Sequence, residues 1–183
     1  MSHIEYEVRV LEINKDEVIN KLESLGASLV EDTYQRRYVY DFNPPNPNKW
    51  IRLRTNGDTT TLTIKDVEKK TIDGTKEMEI EVSSFDDTNE ILKELGYTPK
   101  GLQENKRIKY NLNGVEVDID TWPKIPTYLE IEGIDEESVY NTLNLLGIDK
   151  SKVTTLDVQS IYLEVYNIDI IKEPNLSFNV ENN

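Results

Sequence analysis

Like charges spaced two residues apart recur through this chain, and that spacing restricts its fold more than any other feature. Glu5 and Glu7 are followed at the same interval by Arg9. Arg52 with Arg54, Glu77 with Glu79 and Glu81, Arg107 with Lys109, Asp118 with Asp120, and Glu130 with Glu132 repeat the pattern. Residues i and i+2 share one face of a strand, whereas on a helix they do not face each other. These segments therefore read as strands with one charged face. The intervening positions are apolar: Ile4, Tyr6 and Val8; Ile51 and Leu53; Met78, Ile80 and Val82; Val117 and Ile119; Leu129 and Ile131. Those faces are assigned to a core beneath helices. Lys65 ends Leu62-Thr63-Ile64-Lys65 on the face shared by Thr61 and Thr63.

Strands are expected at about 4–12, 34–42, 49–56, 59–68, 75–83, 103–112, 115–121 and 127–133. Asn113-Gly114 separates two of them and marks a two-residue hairpin, because both residues tolerate positive φ. Helical periodicity covers 15–25, with Asn14 as N-cap, Glu17 closing a capping box and Gly26 after the end. It returns at 86–95, 136–146 and 155–166. An internal echo relates Gln35-Arg36-Arg37-Tyr38-Val39-Tyr40 to Asn105-Lys106-Arg107-Ile108-Lys109-Tyr110, each after a helix ending in Leu-Gly. No linker separates the halves, so residues 1–170 are read as one pseudo-symmetric domain and 171–183 as a tail.

Carboxylates repeated on one strand face repel unless something offsets them. If the sheet closes, these faces line its interior, where unpaired charge is prohibitive. Salt bridges, water and bound ions must then fill it. Carboxylates suit hard cations such as Mg²⁺ or Mn²⁺, and arginines and lysines suit phosphate oxygens. A polyanion bridged by metal ions satisfies both sets, and its chemistry would be positioning and charge stabilisation.

Composition narrows the alternatives. A net charge of −14 over 183 residues disfavours nucleic acid as a partner. Without cysteine there is no disulfide, thiolate metal site or cysteine nucleophile. No apolar run approaches a membrane span, and the N-terminus has no signal-peptide pattern. A cytoplasmic monomer or homodimer is expected. Neither a P-loop nor a Gly-x-Gly-x-x-Gly cradle is present. Asp118-Ile119-Asp120-Thr121 matches the Asp-x-Asp-x-Thr of haloacid-dehalogenase-type phosphatases, but it follows a hairpin and no α/β repeats come after it.

In these residues the chain resembles the CYTH, or triphosphate tunnel, superfamily, most closely its class IV adenylate cyclase-like members. The family's Glu-x-Glu-x-Lys resembles Glu5-Tyr6-Glu7-Val8-Arg9, with arginine in the lysine place. Its Arg-x-Arg strand matches Arg52-Leu53-Arg54, its next basic strand end Lys65, and its acidic middle strand Glu77-Met78-Glu79-Ile80-Glu81. A later Lys-x-Arg is met in part by Asn105 and Arg107, and Asp120 followed by Glu130-Ile131-Glu132 completes the order over about residues 4–165. The resemblance implies an α+β fold, a closed eight-stranded antiparallel β-barrel forming a tunnel with flanking helices. It also implies Mg²⁺ or Mn²⁺ held by Glu5, Glu7, Glu79, Glu130 and Glu132, with Asp118 or Asp120 nearby. Phosphates would be held by Arg9, Arg52, Arg54, Lys65 and Arg107. Lys109 and Arg37 are added from alternation and the echo. Glu5, Glu7, Arg9 and Arg54 are the expected catalytic set. The implied activity is conversion of ATP to cyclic AMP and pyrophosphate. The alternatives are hydrolysis of thiamine triphosphate or tripolyphosphate, and polyphosphate or nucleotide binding without turnover. Arginine at position 9 keeps the charge but offers no amine that can lose its proton.

Overall fold

The computed structural model describes residues 3–172 and 175–178. Eight strands alternate with helices: β1 (His3–Val10), α1 (Lys15–Ser24), β2 (Ser28–Asp41), β3 (Lys49–Thr55), β4 (Thr60–Val67), β5 (Thr75–Val82), α2 (Phe85–Glu94), β6 (Pro99–Leu112), β7 (Val115–Thr121), β8 (Tyr128–Gly133) and α3 (Glu136–Leu146). The strand order β6-β2-β3-β4-β5-β1-β8-β7 closes on itself because β7 also pairs with β6, and every pairing among the eight is antiparallel. The eight-stranded antiparallel barrel is therefore complete. β7 runs antiparallel to both neighbours, which removes the parallel-strand setting that an Asp-x-Asp-x-Thr nucleophile requires.

Local chemistry places the helices. Asn14 accepts from the Asp16 and Glu17 amides and caps α1 as its sequence implies, but the Glu17 carboxylate accepts from the Asn14 side-chain amide in place of the backbone N–H that a capping box uses. α3 stops at Gly147, whose φ of 76° suits a residue without Cβ. The β6–β7 hairpin turns on Asn113 and Gly114, at φ 56° and 89°.

The apolar core lies outside the barrel. Val8, Val117, Leu129 and Ile131 face outward and pack with Leu22 of α1 and Val139 and Leu143 of α3. α2 covers Tyr40, Ile51 and Leu53 through Phe85 and Leu92. Leu22 is wholly buried, so Leu22→Ala is expected to cost about 2–5 kcal/mol in urea denaturation. A loss under about 1 kcal/mol would show that α1 is not anchored there.

Three readings need correction. Ile4, Met78 and Ile80 are not core but 46%, 48% and 57% exposed, because among the described residues no helix covers the outer face where β5 meets β1. β2 and β6 are each 14 residues long and pair over nearly their full lengths, so both begin several residues earlier than the alternation indicates. The expected helix at 155–166 is a short α4 (Val158–Ser160) running into a π-helical turn at Ile161–Val165. Two short strands are added: β9 (Val153–Thr154) pairs with β1, and β10 (Asn175–Leu176) pairs parallel to β6. Residues 173, 174 and 179–183 of the expected tail lie outside the described residues. No helix among the described residues is long and apolar enough to cross a membrane.

Candidate functional site

The barrel interior is built from the charged faces. Arg9 sits between two carboxylates, its Nη2 3.0 Å from Glu7 and 2.6 Å from Glu130. Its Nη1 donates to the Leu156 carbonyl at 3.0 Å, tying the centre of the barrel to the segment that follows β9. Arg107 Nε donates to Asp120 Oδ1 at 3.0 Å, and its two Nη atoms pair with Asp118, Asp120 and Glu130. Lys65 lies 2.9 Å from Glu5 and 2.9 Å from Glu77. Arg52 reaches Glu79 at 3.2 Å and Glu77 at 3.6 Å, and Thr63 donates to Glu79 at 2.6 Å. Arg54 is less well compensated, 3.8 Å from Glu79.

Arg37 and Asn105 complete the centre. Arg37 Nη2 donates to Asn105 Oδ1 at 2.7 Å, and Asn105 Nδ2 donates to Asp120 Oδ1 at 3.0 Å. The Arg37 guanidinium also lies 4.5 Å over the Trp122 ring. The uncharged Asn105 thus links a buried arginine to a buried aspartate.

Proton affinities expose an imbalance of charge. Burial, then the nearby Arg52, Arg54 and Arg107, hold Arg37 well below the usual arginine range. Arg52, followed by burial and Arg107, lowers Arg54 to about 10. These guanidiniums repel one another in a space that resident carboxylates only partly neutralise. The acids split in the opposite sense. Burial raises Glu5 to about 8, Asp118 to about 7 and Glu132 to about 7. Against burial, Lys65 and Arg52 keep Glu77 at about 2, and Arg9 and Arg107 hold Glu130 well below the carboxylate range.

A cavity opens at each end of the barrel. The larger, ≈730 Å³, is lined by the end of β2, the start of β3 and the end of β4, and it exposes Arg9, Arg37, Arg52 and Lys65 beside Trp50 and Trp122. The smaller, ≈220 Å³, lies at the opposite ends of those strands and contains Gln35 and Arg54.

The structure brings Glu5, Glu7, Arg9, Arg37, Arg52, Arg54, Lys65, Glu79, Arg107, Asp118, Asp120, Glu130 and Glu132 onto the inner wall. Lys109 shares that face, but its ammonium turns to the exposed Glu116 at 2.7 Å, at the rim. Tyr128 and Gln35, both buried and inward-facing, carry no charge and so escape a search for charge pairs.

The acidic wall offers oxygen donors to a divalent cation. Glu7 is directly opposite Glu132, and Asp118 opposite Glu130. Their oxygens are the hard donors that Mg²⁺ and Mn²⁺ take, and Asp118 Oδ1 is buried with no hydrogen-bond partner. Among the described residues no three acidic groups converge on one point, since Arg9 and Arg107 bridge them. The donor set fits such a cation in kind.

A family model for the CYTH domain matches residues 3–164. The PH1012 protein of Pyrococcus horikoshii OT3 is 25% identical, with a TM-score of 0.74 over 84% of this chain and 96% of that one. A Vibrio parahaemolyticus structure described as a candidate adenylate cyclase is 12% identical, with a TM-score of 0.74 over 88% of this chain and 98% of its own. A candidate adenylyl cyclase from Hippeastrum, whose structure is described as revealing a dominant triphosphatase activity, is 16% identical, with a TM-score of 0.58 over 92% and 97%. No curated protein matches the chain in sequence. With the family model spanning all eight strands of the closed barrel and its charged interior, the chain belongs to the CYTH domain family.

Proposed function

We propose that this chain is a divalent-metal-dependent enzyme acting on triphosphate compounds, and that its reaction is the class IV adenylate cyclase-like conversion of ATP to cyclic AMP and pyrophosphate. One observation carries the binding half of this reading: Arg37, buried, and Arg54, half-buried, lie among other arginines whose charge depresses their own proton affinity. A polyphosphate supplies the missing negative charge, and the arginine forks match its oxygens. The ≈730 Å³ cavity, with Trp50, Leu156 and Ile170 on its wall, has room and apolar surface for the nucleoside.

Glu5, Glu7, Glu130 and Glu132, with Asp118, would hold Mg²⁺ or Mn²⁺, which when bound neutralises phosphate charge. Arg52, Arg54 and Arg107 orient the phosphate chain and stabilise charge that develops on it. Arg9 holds Glu7 and Glu130 in place and stays protonated, so it serves electrostatics and not proton transfer. Arg37, reaching Asn105, brings positive charge to the side of the barrel where the family's lysine is missing.

Hydrolysis is the second reading. It is favoured by the cavities at both ends of the barrel, which give water a path to either end of the chain. Incubation with Mg²⁺ or Mn²⁺ and ATP, thiamine triphosphate or tripolyphosphate, followed by phosphorus NMR, decides between them. Cyclic AMP with pyrophosphate is the expected result, and orthophosphate release establishes the hydrolase instead. Saturable binding with no product would leave a binding module and end both readings.

Glu130→Gln combined with Glu132→Gln is expected to lower metal-dependent turnover by about a thousandfold, the scale of several kcal/mol of lost charge stabilisation. The pair should still fold. Glu132 already retains a proton near neutrality, and the amide at position 130 still offers an acceptor to Arg9. Unchanged turnover would remove these two residues from the metal assignment.

A further inference from the structure

Several buried polar atoms on the barrel wall have no hydrogen-bond partner. Toward the larger cavity they are Arg9 Nε, Arg37 Nε, Arg52 Nε, Trp122 Nε1 and Tyr128 Oη. Each of these has a proton to give. Glu77 Oε2, beside Lys65 and Arg52, is the one acceptor among them, and toward the other end lie Gln35 Oε1, Asp118 Oδ1 and the hydroxyls of Thr33 and Thr61. A buried polar group left unpaired is costly, and native interiors keep few of them. A run of donors on one wall points to an occupant rich in acceptors.

Two of these donors are uncharged and belong to none of the charge pairs. Tyr128 opens β8 on the same face as Glu130 and Glu132, directly opposite Asp120, and is 1% exposed. The carboxylates around it are already engaged. Asp120 accepts from Asn105 and Arg107, and Glu130 pairs with Arg9 and Arg107. Burial, then Asp120 and Glu130, keeps the phenol protonated far above its usual range. Trp122 follows β7 on the Asp118–Asp120 face and lines the larger cavity with Arg37 stacked on its ring. Neutral donors add directional hydrogen bonds without adding to the repulsion among the arginines.

We infer that Tyr128 and Trp122 donate hydrogen bonds to oxygens of the bound phosphate chain, which therefore extends from the central arginines to the Trp122 end of the barrel. This rests on the triphosphate reading above. The competing role is packing, since both rings also touch the apolar cluster of Ile125, Ile161 and Tyr162. At Tyr128 phenylalanine preserves that packing and deletes only the hydroxyl; at Trp122 it also removes ring volume, so Tyr128→Phe decides between the two roles.

Isothermal calorimetry of wild type, Tyr128→Phe and Trp122→Phe with tripolyphosphate and with ATP, in Mg²⁺, tests the assignment. Each variant is expected to raise Kd by about tenfold to a hundredfold, the range for a hydrogen bond to a charged acceptor. The melting temperature of unliganded Tyr128→Phe should hold or rise, because an unpaired buried hydroxyl has been removed. Wild-type binding matched within about twofold by Tyr128→Phe, or a fall in its melting temperature with Kd unchanged, would overturn the inference and leave the parent reading intact. A wild-type protein that binds neither compound would refute the parent reading and this one with it.

Discussion

Arg107→Met is expected to lower the free energy of unfolding by about 3–5 kcal/mol, whereas Arg37→Met should leave it within about 1 kcal/mol of wild type and act on binding instead. Both arginines are buried on the same wall, yet their surroundings differ. Arg107 is the shared partner of Asp118, Asp120 and Glu130. Its loss takes the ion pair from Asp118 and one partner each from Asp120 and Glu130, which keep Asn105 and Arg9, and several kcal/mol is a large fraction of a typical domain's stability. Among the described residues Arg37 makes no ion pair; it has the neutral Asn105 as its hydrogen-bond acceptor, and Arg52, Arg54 and Arg107 oppose it more than Asp120 attracts it. Removing it costs one hydrogen bond and the contact with the Trp122 ring, and it relieves that repulsion. Its electrostatic value appears only with an anion present, so Arg37→Met should weaken tripolyphosphate binding by about a hundredfold. Urea denaturation and calorimetry on the two variants read both effects. Equal destabilisation by the two substitutions would show that the guanidinium cluster is neutralised within the chain, and the case for a polyanion would fail.

The same contrast shows what the sequence could and could not reveal. Inner-face residues are spaced by two, so Glu5, Glu7, Arg9, Arg52, Arg54, Glu130 and Glu132 announce themselves as one wall once strands are assumed. The echo between Gln35–Tyr40 and Asn105–Tyr110 is physical: Gln35 and Asn105 are direct partners where β2 and β6 lie side by side. The start of β2 was not legible, because residues 28–33 are exposed or half-exposed throughout and so present no buried apolar face. Met78 and Ile80 misled in the other direction. Their alternation with glutamates marks a strand correctly, but a period of two says nothing about whether a helix arrives to cover the apolar face. Pairing identities were equally hidden. No spacing rule says that Arg107 collects three carboxylates while Arg37 receives none, since that depends on which strands become neighbours when the barrel closes.

Unliganded protein is expected to be more stable near pH 5 than near pH 8, the reverse of the usual acid sensitivity, and Mn²⁺ should abolish the difference. Glu5, Asp118 and Glu132 have folded-state values raised to about 8, 7 and 7, chiefly by burial. An unfolded chain releases those protons near the ordinary carboxylate range, so between that range and pH 8 the folded state binds more protons than the unfolded one. Stability then falls as pH rises. A single net proton over two pH units is worth about 3 kcal/mol, or roughly 6–12 °C in melting temperature for a chain of this size. Glu77, held at about 2 mainly by Lys65 against burial, acts oppositely. Its contribution is present above its unfolded value and is lost as pH falls toward 2, so the apo optimum lies near pH 5. A bound cation requires these carboxylates ionised and displaces their protons, so its stabilisation should grow with pH and flatten the profile. Thermal melts at pH 5, 6.5 and 8, with and without Mn²⁺, measure this directly. An apo melting temperature that climbs steadily from pH 5 to 8 would mean that the acidic wall is solvated and ionised without metal, and the cation would lose its place in the barrel.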